Sequence, residues 1–207
     1  DLTVINTNDA PTVVNPIFDQ FATQNAAFNF QFALDVFGDI DVGDVLTYSA
    51  QVSGGGGLPG WLSFDGVNRR FSGVPGQSDV GNLDIDVIAS DGKGGSITDT
   101  FRITVVNVND APTVQNSIPN QNATEDTEFV FQFALDVFFD LDGDELSYSA
   151  QLSGGGSLPG WLTFNQAIRT FSGTPTNSDV GTVSITVTAD DGNGGTVTDT
   201  FDITVIN

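Results

Sequence analysis

The sequence predicts an all-β fold made of two tandem antiparallel β-sandwich domains of about seven strands each. The chain of 207 residues repeats itself once. Within each copy, apolar side chains alternate with polar ones at a period of two residues. Turn segments rich in Gly, Pro, Asn and Asp separate these alternating runs. Short strands joined by frequent turns, without helical periodicity, are typical of β-sandwiches.

The two copies are recognised by segments that recur along the chain. Four segments return at a spacing of 100 or 101 residues: "NDAPT" at 8–12 and 109–113, "FQFALDVF" at 30–37 and 131–138, "LPGWL" at 58–62 and 158–162, and "TDTF" at 98–101 and 198–201. A fixed internal period indicates a tandem array of one structural unit. The opening "DLTVIN" also matches the closing "DITVIN" at 202–207. We therefore expect residues 1–6 to be the last strand of a preceding repeat, residues 7–107 to form the first domain and residues 108–207 the second.

Each predicted strand is an alternating run that ends at a turn segment. In the second copy the apolar faces are Phe129, Phe131, Phe133 and Leu135, then Val183, Ile185, Val187 and Ala189, then Phe201, Ile203 and Val205. The segments between runs, "SGGGSLPG" at 153–160, "GTPTNSDVG" at 173–181 and "DGNGG" at 191–195, have turn chemistry. The alternating apolar residues, phenylalanines above all, are expected to form the core.

The charge of the chain limits its partners. The chain has 27 acidic and 5 basic side chains, which give a formal net charge of −22. Nucleic acids and anionic membranes need a basic surface, so we predict no nucleic-acid binding and no direct membrane insertion. His, Cys and Met are absent, which excludes thiolate and imidazole metal sites and leaves oxygen ligands. Cations are the expected partners.

Two loops concentrate carboxylates: "DLDGDE" at 140–145 and "DIDVGD" at 39–44. If successive strands run antiparallel, strand direction alone assigns each loop to one end of its sandwich. The end of the second domain nearest the linker is expected to gather Asn107, Asn109, Asp110, Asp140, Asp142, Asp144 and Asp191. The far end is expected to carry Glu125, Asp126 and Asp179, and the far end of the first domain carries Asp79, which is expected to face the junction between the domains.

Converging carboxylates favour a bound cation. Two carboxylates about 4 Å apart repel by roughly 4 kcal/mol at an effective dielectric constant near 20. Oxygen ligands in a flexible loop suit Ca²⁺ better than Mg²⁺, which demands a regular octahedron. The alternative is that the Asp-Gly clusters are solvated turns.

Several motifs resemble the cadherin superfamily, specifically the dystroglycan-type cadherin-like tandem repeats of large surface or secreted proteins. The motifs are "DLDGDELSYSA" at 140–150, "VNVNDAP" at 106–112, "ITVTADDGNGG" at 185–195, and "LPGWLTF" at 158–164 followed by "TFSGTP" at 170–175. The resemblance implies cadherin-like (Ig-like) sandwiches with Ca²⁺ between consecutive repeats. The implied ligands are Asn107, Asn109, Asp110, Asp140, Asp142 and Asp191, with Asp79 weaker, and spacing adds Asp144.

The first repeat contains the equivalent set Asn8, Asp9, Asp39, Asp41, Asp44 and Asp91. One position departs from the cadherin pattern, because the far end of the second repeat has Glu125 where the first repeat has Gln24. The junction inside this chain is therefore expected to hold fewer or weaker ions than its neighbours.

The functional prediction is a calcium-stiffened structural and adhesion module of an extracellular or cell-surface multi-repeat protein. Its expected partners are neighbouring repeats of the same longer chain. The alternative is a carbohydrate-binding module attached to a polysaccharide-degrading or adhesive protein, with Trp61 and Trp161 as sugar platforms. A third hypothesis is Ca²⁺-dependent association with a like module on another chain. No enzyme activity is predicted, because the paired carboxylates cluster at the junction and neither copy has a catalytic insertion.

Overall fold

The computed structural model of the chain describes residues 7–207. The chain divides into two compact units, Asp1–Val108 and Asn109–Asn207. The strand predicted at residues 1–6 lies outside the described residues. Each unit is an all-β sandwich, so the predicted fold class is confirmed.

The first repeat is built from a four-stranded sheet in the order β2-β9-β8-β5, a three-stranded sheet in the order β3-β7-β6 and the short pair β1-β4. A single 3₁₀ turn at Gln77–Asp79 precedes the long strand β8. The strands are β1 (Thr12–Val13), β2 (Gln20–Thr23), β3 (Phe28–Gln31), β4 (Phe37–Gly38), β5 (Thr47–Val52), β6 (Leu62–Asp65), β7 (Arg70–Gly73), β8 (Gly81–Ser90) and β9 (Ser96–Val106).

The second repeat has the same topology, with sheets β11-β18-β17-β14 and β12-β16-β15 and the pair β10-β13. Its 3₁₀ turns lie at Gln166–Ile168 and Asn177–Asp179. The strands are β10 (Thr113–Val114), β11 (Gln121–Thr124), β12 (Phe129–Gln132), β13 (Phe138–Phe139), β14 (Ser147–Leu152), β15 (Leu162–Asn165), β16 (Thr170–Gly173), β17 (Gly181–Asp190) and β18 (Thr196–Ile206).

Two details of the strands differ from the sequence prediction. Within the described residues each repeat has nine strands rather than seven. The two additional strands are the two-residue strands that pair with each other, β1 with β4 in the first repeat and β10 with β13 in the second. One pairing in each repeat, β2 with β9 and β11 with β18, is parallel rather than antiparallel. The chain enters a repeat at one end and leaves at the other. An early strand (β2 or β11) and the last strand (β9 or β18) therefore run in the same direction and pair in parallel.

The period-two runs form the cores, as predicted, except at Leu135, which is 73% exposed because β12 ends at Gln132 and the alternation does not continue to Leu135. In the second repeat Phe171, Ile185 and Val187 have 0% of their surface exposed, and Phe201 has 1%. The Phe171 ring lies 4.5 Å from the ring of Phe164 and 5.4 Å from that of Phe201, measured between centroids. Burying such side chains contributes about 1.5–3 kcal/mol each, which makes aromatic packing the main source of stability in a chain without disulfides.

The "LPGWL" segment fixes a close approach of two backbones. The Trp161 ring packs edge-on against Phe129 at 6.1 Å and is half-buried against the core. A Cβ at Gly173 would lie 1.7 Å from the carbonyl oxygen of Trp161, so only glycine fits there. Trp61 repeats this packing against Phe28 at 6.1 Å. Both tryptophans therefore pack against the core of their sandwich.

Candidate metal centre

The acidic loop of the second repeat connects β13 to β14 and draws three carboxylates together. Asp140, Asp142 and Asp144 each offer one oxygen, and these three oxygens lie within 4.8 Å of one another. Alternation of the acids along the loop places them on one side of a tight turn, which Gly143 permits with a φ of 78°. The spacing seen in the sequence therefore corresponds to a cluster in space.

The Asp140 side chain organises this loop. One of its oxygens, Oδ1, accepts hydrogen bonds from the backbone N–H groups of Asp142 at 2.9 Å and Asp144 at 3.2 Å. Only 6% of the Asp140 surface is exposed, and its second oxygen, Oδ2, is buried and has no hydrogen-bond partner among the described residues. A buried carboxylate oxygen without a partner is costly, and a cation is the group that best relieves it.

The segment that opens the second repeat joins the same end of the sandwich. The backbone N–H of Asp110 donates to Asp142 Oδ2 at 2.6 Å, and Asn109 Nδ2 donates to Asp191 Oδ2 at 2.9 Å. Asn107 follows directly after β9 and is exposed. The acidic loop, residues 109–110 and the β17–β18 turn therefore meet within this unit.

Asp191 is engaged in holding the β17–β18 turn. Its Oδ1 accepts the backbone N–H groups of Asn193 at 2.7 Å and Gly195 at 2.9 Å. The hydrogen bond from Asn109, together with these N–H groups, holds the pKa of Asp191 below its usual range. A Cβ at Gly195 would lie 2.2 Å from Asp191 Oδ2 and 2.7 Å from Ala111 Cα. Both oxygens of Asp191 thus accept hydrogen bonds, whereas only one oxygen of Asp140 does.

One neighbour of the cluster was missed from the sequence. Asn193 Nδ2 donates to Asp144 Oδ2 at 2.8 Å, and the equivalent Lys93 forms an ion pair with Asp44 in the first repeat. Neither residue is among the ligands predicted from the sequence. The available signal was that both copies have a hydrogen-bond donor two residues after the buried Asp of "DGKGG" and "DGNGG".

The first repeat assembles its equivalent residues in the same way. Asp39, Asp41 and Asp44 offer oxygens within 4.8 Å of one another. Oδ2 of Asp39 and Oδ2 of Asp44 are buried without partners. Three further bonds correspond to those of the second repeat: from Asp9 N to Asp41 Oδ2 at 2.7 Å, from Asn8 Nδ2 to Asp91 Oδ2 at 2.9 Å and from Lys93 N to Asp91 Oδ1 at 2.7 Å. The bond from Asn8 lowers the pKa of Asp91.

The other predicted residues lie at the opposite end of their own repeats. Asp179 closes the 3₁₀ turn Asn177–Asp179, and hydrogen bonds from the backbone N–H and the hydroxyl of Thr176 lower its pKa. Asp79 accepts the Gly76 N–H at 2.8 Å in the same way. Asp126 is exposed with a φ of 57°, and Glu125 Oε2 is buried without a partner among the described residues.

Gln24 occupies the Glu125 position in the first repeat. Gln24 is 2% exposed, and its Oε1 accepts the backbone N–H of Val108 at 2.9 Å. A neutral amide therefore fixes the chain as it leaves β9, at the place where the second repeat has a carboxylate.

The donor set of the acidic loop fits a calcium ion. Ca²⁺ takes 6 to 8 oxygens at about 2.3–2.6 Å, so the ligands of one ion span at most about 5.2 Å. The three oxygens within 4.8 Å satisfy that limit. Lys93 forms an ion pair with Asp44 of the first loop, whereas the neutral Asn193 contacts Asp144 at the equivalent position of the second loop.

Comparison with known proteins assigns the family. One family model matches residues 10–106 and again residues 111–206. The chain belongs to the He_PIG family, described as "Putative Ig domain". The two matches correspond to the two repeats, so each He_PIG unit is one sandwich.

Among curated relatives of this He_PIG pair is a serine-rich adhesin for platelets from Staphylococcus aureus (strain MRSA252). It is 32% identical over 145 residues, which are 70% of this chain and 10% of that protein's length. The chain thus corresponds to a small part of the adhesins that it matches, and in other strains the share is 6%. The predicted extracellular or cell-surface localisation is confirmed by these relatives. Among residues 7–207, no helix has the length and apolar character to cross a membrane.

Solved structures support the cadherin-like fold. Mouse cadherin-23 EC22-24 aligns with a TM-score of 0.65 at 15% identity, covering 97% of this chain and 67% of that chain. This likeness confirms a cadherin-like fold, and the dystroglycan-type branch stays a prediction. An endo-fucoidan hydrolase from glycoside hydrolase family 107 is 28% identical with a TM-score of 0.43, covering 95% of this chain and 29% of that chain. A TM-score that low carries no argument about function.

Proposed function

We propose that this He_PIG pair is a calcium-stiffened structural and adhesion module of an extracellular multi-repeat protein. One observation carries the proposal: Asp140 Oδ2 is buried without a hydrogen-bond partner, inside a cluster of three carboxylates. Three converging negative charges oppose folding unless a cation offsets them, and the ligand type and span fit Ca²⁺. The proposed core ligands of the second repeat are Asp140, Asp142 and Asp144.

The stiffening follows from where the ligands sit in the chain. Only Asn107 and Val108 separate the end of β9 at Val106 from Asn109. The entry segment is already bonded to the acidic end of the second repeat, through Asp110 to Asp142 and through Asn109 to Asp191. An ion that holds the loop and this segment together restricts the linker, because the linker has few free backbone torsions left.

The remaining predicted residues enter the proposal in supporting roles. Asn107, Asn109 and Asp110 are proposed to complete the coordination of the second repeat. Asp191, whose two oxygens already accept hydrogen bonds, is proposed to hold Asn109 and the β17–β18 turn beside the ion and to contribute its negative charge. Asn8, Asp9, Asp39, Asp41, Asp44 and Asp91 hold the corresponding ion of the first repeat. Asp79, Glu125, Asp126 and Asp179 at the far ends are proposed as ligands to the ion of a following repeat. Among these, Glu125 has the best support because its Oε2 is buried without a partner among the described residues.

Calcium titration of the whole chain tests the proposal. Isothermal titration into chelator-treated protein is expected to show uptake with a dissociation constant of about 10⁻⁴ to 10⁻³ M, the range of extracellular sites. Small-angle scattering is expected to show a wider distribution of inter-repeat orientations after chelation. Absence of calcium uptake, together with scattering profiles that are identical with and without chelator, would refute the proposal.

The adhesive role concerns the longer protein. Since the curated relatives are adhesins and the chain matches only a small share of them, we propose that the repeats act as non-enzymatic spacers beside neighbouring repeats. The carbohydrate-binding alternative depends on Trp61 and Trp161, whose rings pack edge-on against core phenylalanines. Pull-down on insoluble polysaccharide compares the parent chain with a folded Trp161→Ala variant. Binding by the parent that is lost in the variant would support Trp161 as a sugar-binding residue.

A further inference from the structure

The two acidic loops differ in the side chain that reaches them from the neighbouring turn. In the first repeat, Lys93 Nζ forms an ion pair with Asp44 Oδ1. In the second repeat, the equivalent Asn193 donates a neutral amide hydrogen bond to Asp144 Oδ2. The two contacts join the same structural positions, the β8–β9 or β17–β18 turn and the third acid of the loop. One loop therefore carries its own positive charge and the other does not.

Lys93 reaches from the β8–β9 turn to one buried acid of the first loop. The Asp44 side chain is only 3% exposed, whereas that of Lys93 is 56% exposed. The lysine thus extends from solvent onto a buried carboxylate, where a metal ion would otherwise provide the positive charge.

Two carboxylate oxygens beside the lysine remain without a hydrogen-bond partner within the described region. Asp44 Oδ2 and Asp39 Oδ2 are both buried without hydrogen-bond partners, although Asp44 Oδ1 is occupied by Lys93. An ion on these oxygens would sit next to an ammonium group. The two like charges repel unless the lysine withdraws, and withdrawal is possible because its stem lies largely in solvent.

We propose that Lys93 is a tethered counter-cation that competes with calcium in the first repeat and makes its site weaker than that of the second. This inference rests on the proposed function, since it concerns the same ion. It predicts two classes of site in one chain: a second repeat that depends on calcium to offset its acids, and a first repeat that offsets part of its charge internally. This order is the reverse of the one expected from Gln24, by which the junction inside the chain would hold the weaker ion. The difference arises from one position of an otherwise shared motif.

Exchange of the two residues in the full chain tests the inference by calcium titration. Lys93→Asn is made in a background carrying Asp142→Asn, which disables the second site so that the first is read alone. The variant is expected to lower the dissociation constant of the first site about tenfold or more, because an ammonium roughly 5 Å from a divalent ion opposes its binding by that factor even at the dielectric constant of water. Lys93→Arg keeps the charge and is the matched control, with a dissociation constant close to that of the parent.

The reverse exchange uses Asn193→Lys in a background carrying Asp41→Asn, and the second site is expected to weaken by a similar factor. In metal-free buffer, Lys93→Asn is also expected to lower the melting temperature of the first repeat and Asn193→Lys to raise that of the second.

The outcomes separate this inference from the proposed function. Unchanged dissociation constants in both exchanges, while the parent chain still binds calcium, overturn the role of Lys93 and leave the calcium proposal intact. A parent chain that takes up no calcium at either site overturns both, and the parent titration shows this before any variant is made. An equal gain in affinity from Lys93→Asn and Lys93→Arg also overturns the inference, since it would attribute the effect to side-chain shape rather than charge.

Discussion

Replacing Asp140 by Asn separates two effects of the acidic loop on stability: repulsion between its carboxylates without metal, and stabilisation by bound calcium. In the metal-free protein the carboxylate lies within 4.8 Å of oxygens from Asp142 and Asp144. Each such pair repels by on the order of 3 kcal/mol at an effective dielectric constant near 20. The Asn side chain keeps an oxygen that accepts the two backbone N–H groups, but these bonds lose about 1 kcal/mol each when the acceptor is neutral. After salt screening, a net stabilisation of about 1–3 kcal/mol is expected without metal.

The same substitution is expected to remove the response to calcium. For a dissociation constant of about 10⁻⁴ to 10⁻³ M, about 10 mM Ca²⁺ stabilises the folded state by roughly 1.4–2.7 kcal/mol. In a repeat of about 100 residues this corresponds to a rise of roughly 6–20 °C in melting temperature. Asp140→Asn therefore raises the melting temperature in chelator by at least about 4 °C and abolishes most of the calcium-dependent rise.

Differential scanning calorimetry of the whole chain, with chelator and with calcium, measures both effects. The transition of the unaltered first repeat serves as an internal reference. Glu128→Gln removes the same charge from an exposed position of the second repeat, and it should leave the calcium response intact. A lower melting temperature of Asp140→Asn in chelator, or a calcium-dependent rise equal to that of the parent, would show that Asp140 does not lie in a repulsive metal-binding cluster.

Two further predictions concern the turns. Gly195→Ala forces a Cβ to within 2.2 Å of an Asp191 oxygen, so urea denaturation should show a free energy of unfolding lower by about 1–3 kcal/mol. Gly160→Ala is the control, because a Cβ there meets nothing within 4 Å, and it should change the free energy of unfolding little. The pKa of Asp179 is lowered in the folded state by the Thr176 N–H, so its stabilising contribution is complete above the unfolded pKa and is lost as the pH falls through the folded value, below about pH 4. The advantage in urea midpoint of the metal-free parent over Asp179→Asn should therefore shrink as the pH falls below about 4, while the acidic loops, which both proteins share, affect both alike. A difference between the two midpoints that does not change with pH would contradict this role.

The sequence by itself determined the repeat, the fold class and the core. An exact alternation of apolar residues can bury only one face of a strand, so Ile185 and Val187 had to face inward wherever the strands lay. The alternating direction of successive strands likewise predicts that Asp110, Asp142 and Asp191 lie at one end of the second repeat.

Only the tertiary structure decided which oxygens remain available to an ion. Asp140 and Asp191 are alike in sequence, each an acid at the end of a strand, yet backbone N–H groups and Asn109 occupy both oxygens of Asp191 and leave Asp140 Oδ2 unbonded. Likewise the contact of Lys93 with Asp44 joins residues 49 positions apart. Hydrogen bonds over such separations depend on how two turns dock, and the period of apolar residues along the chain carries no information about that.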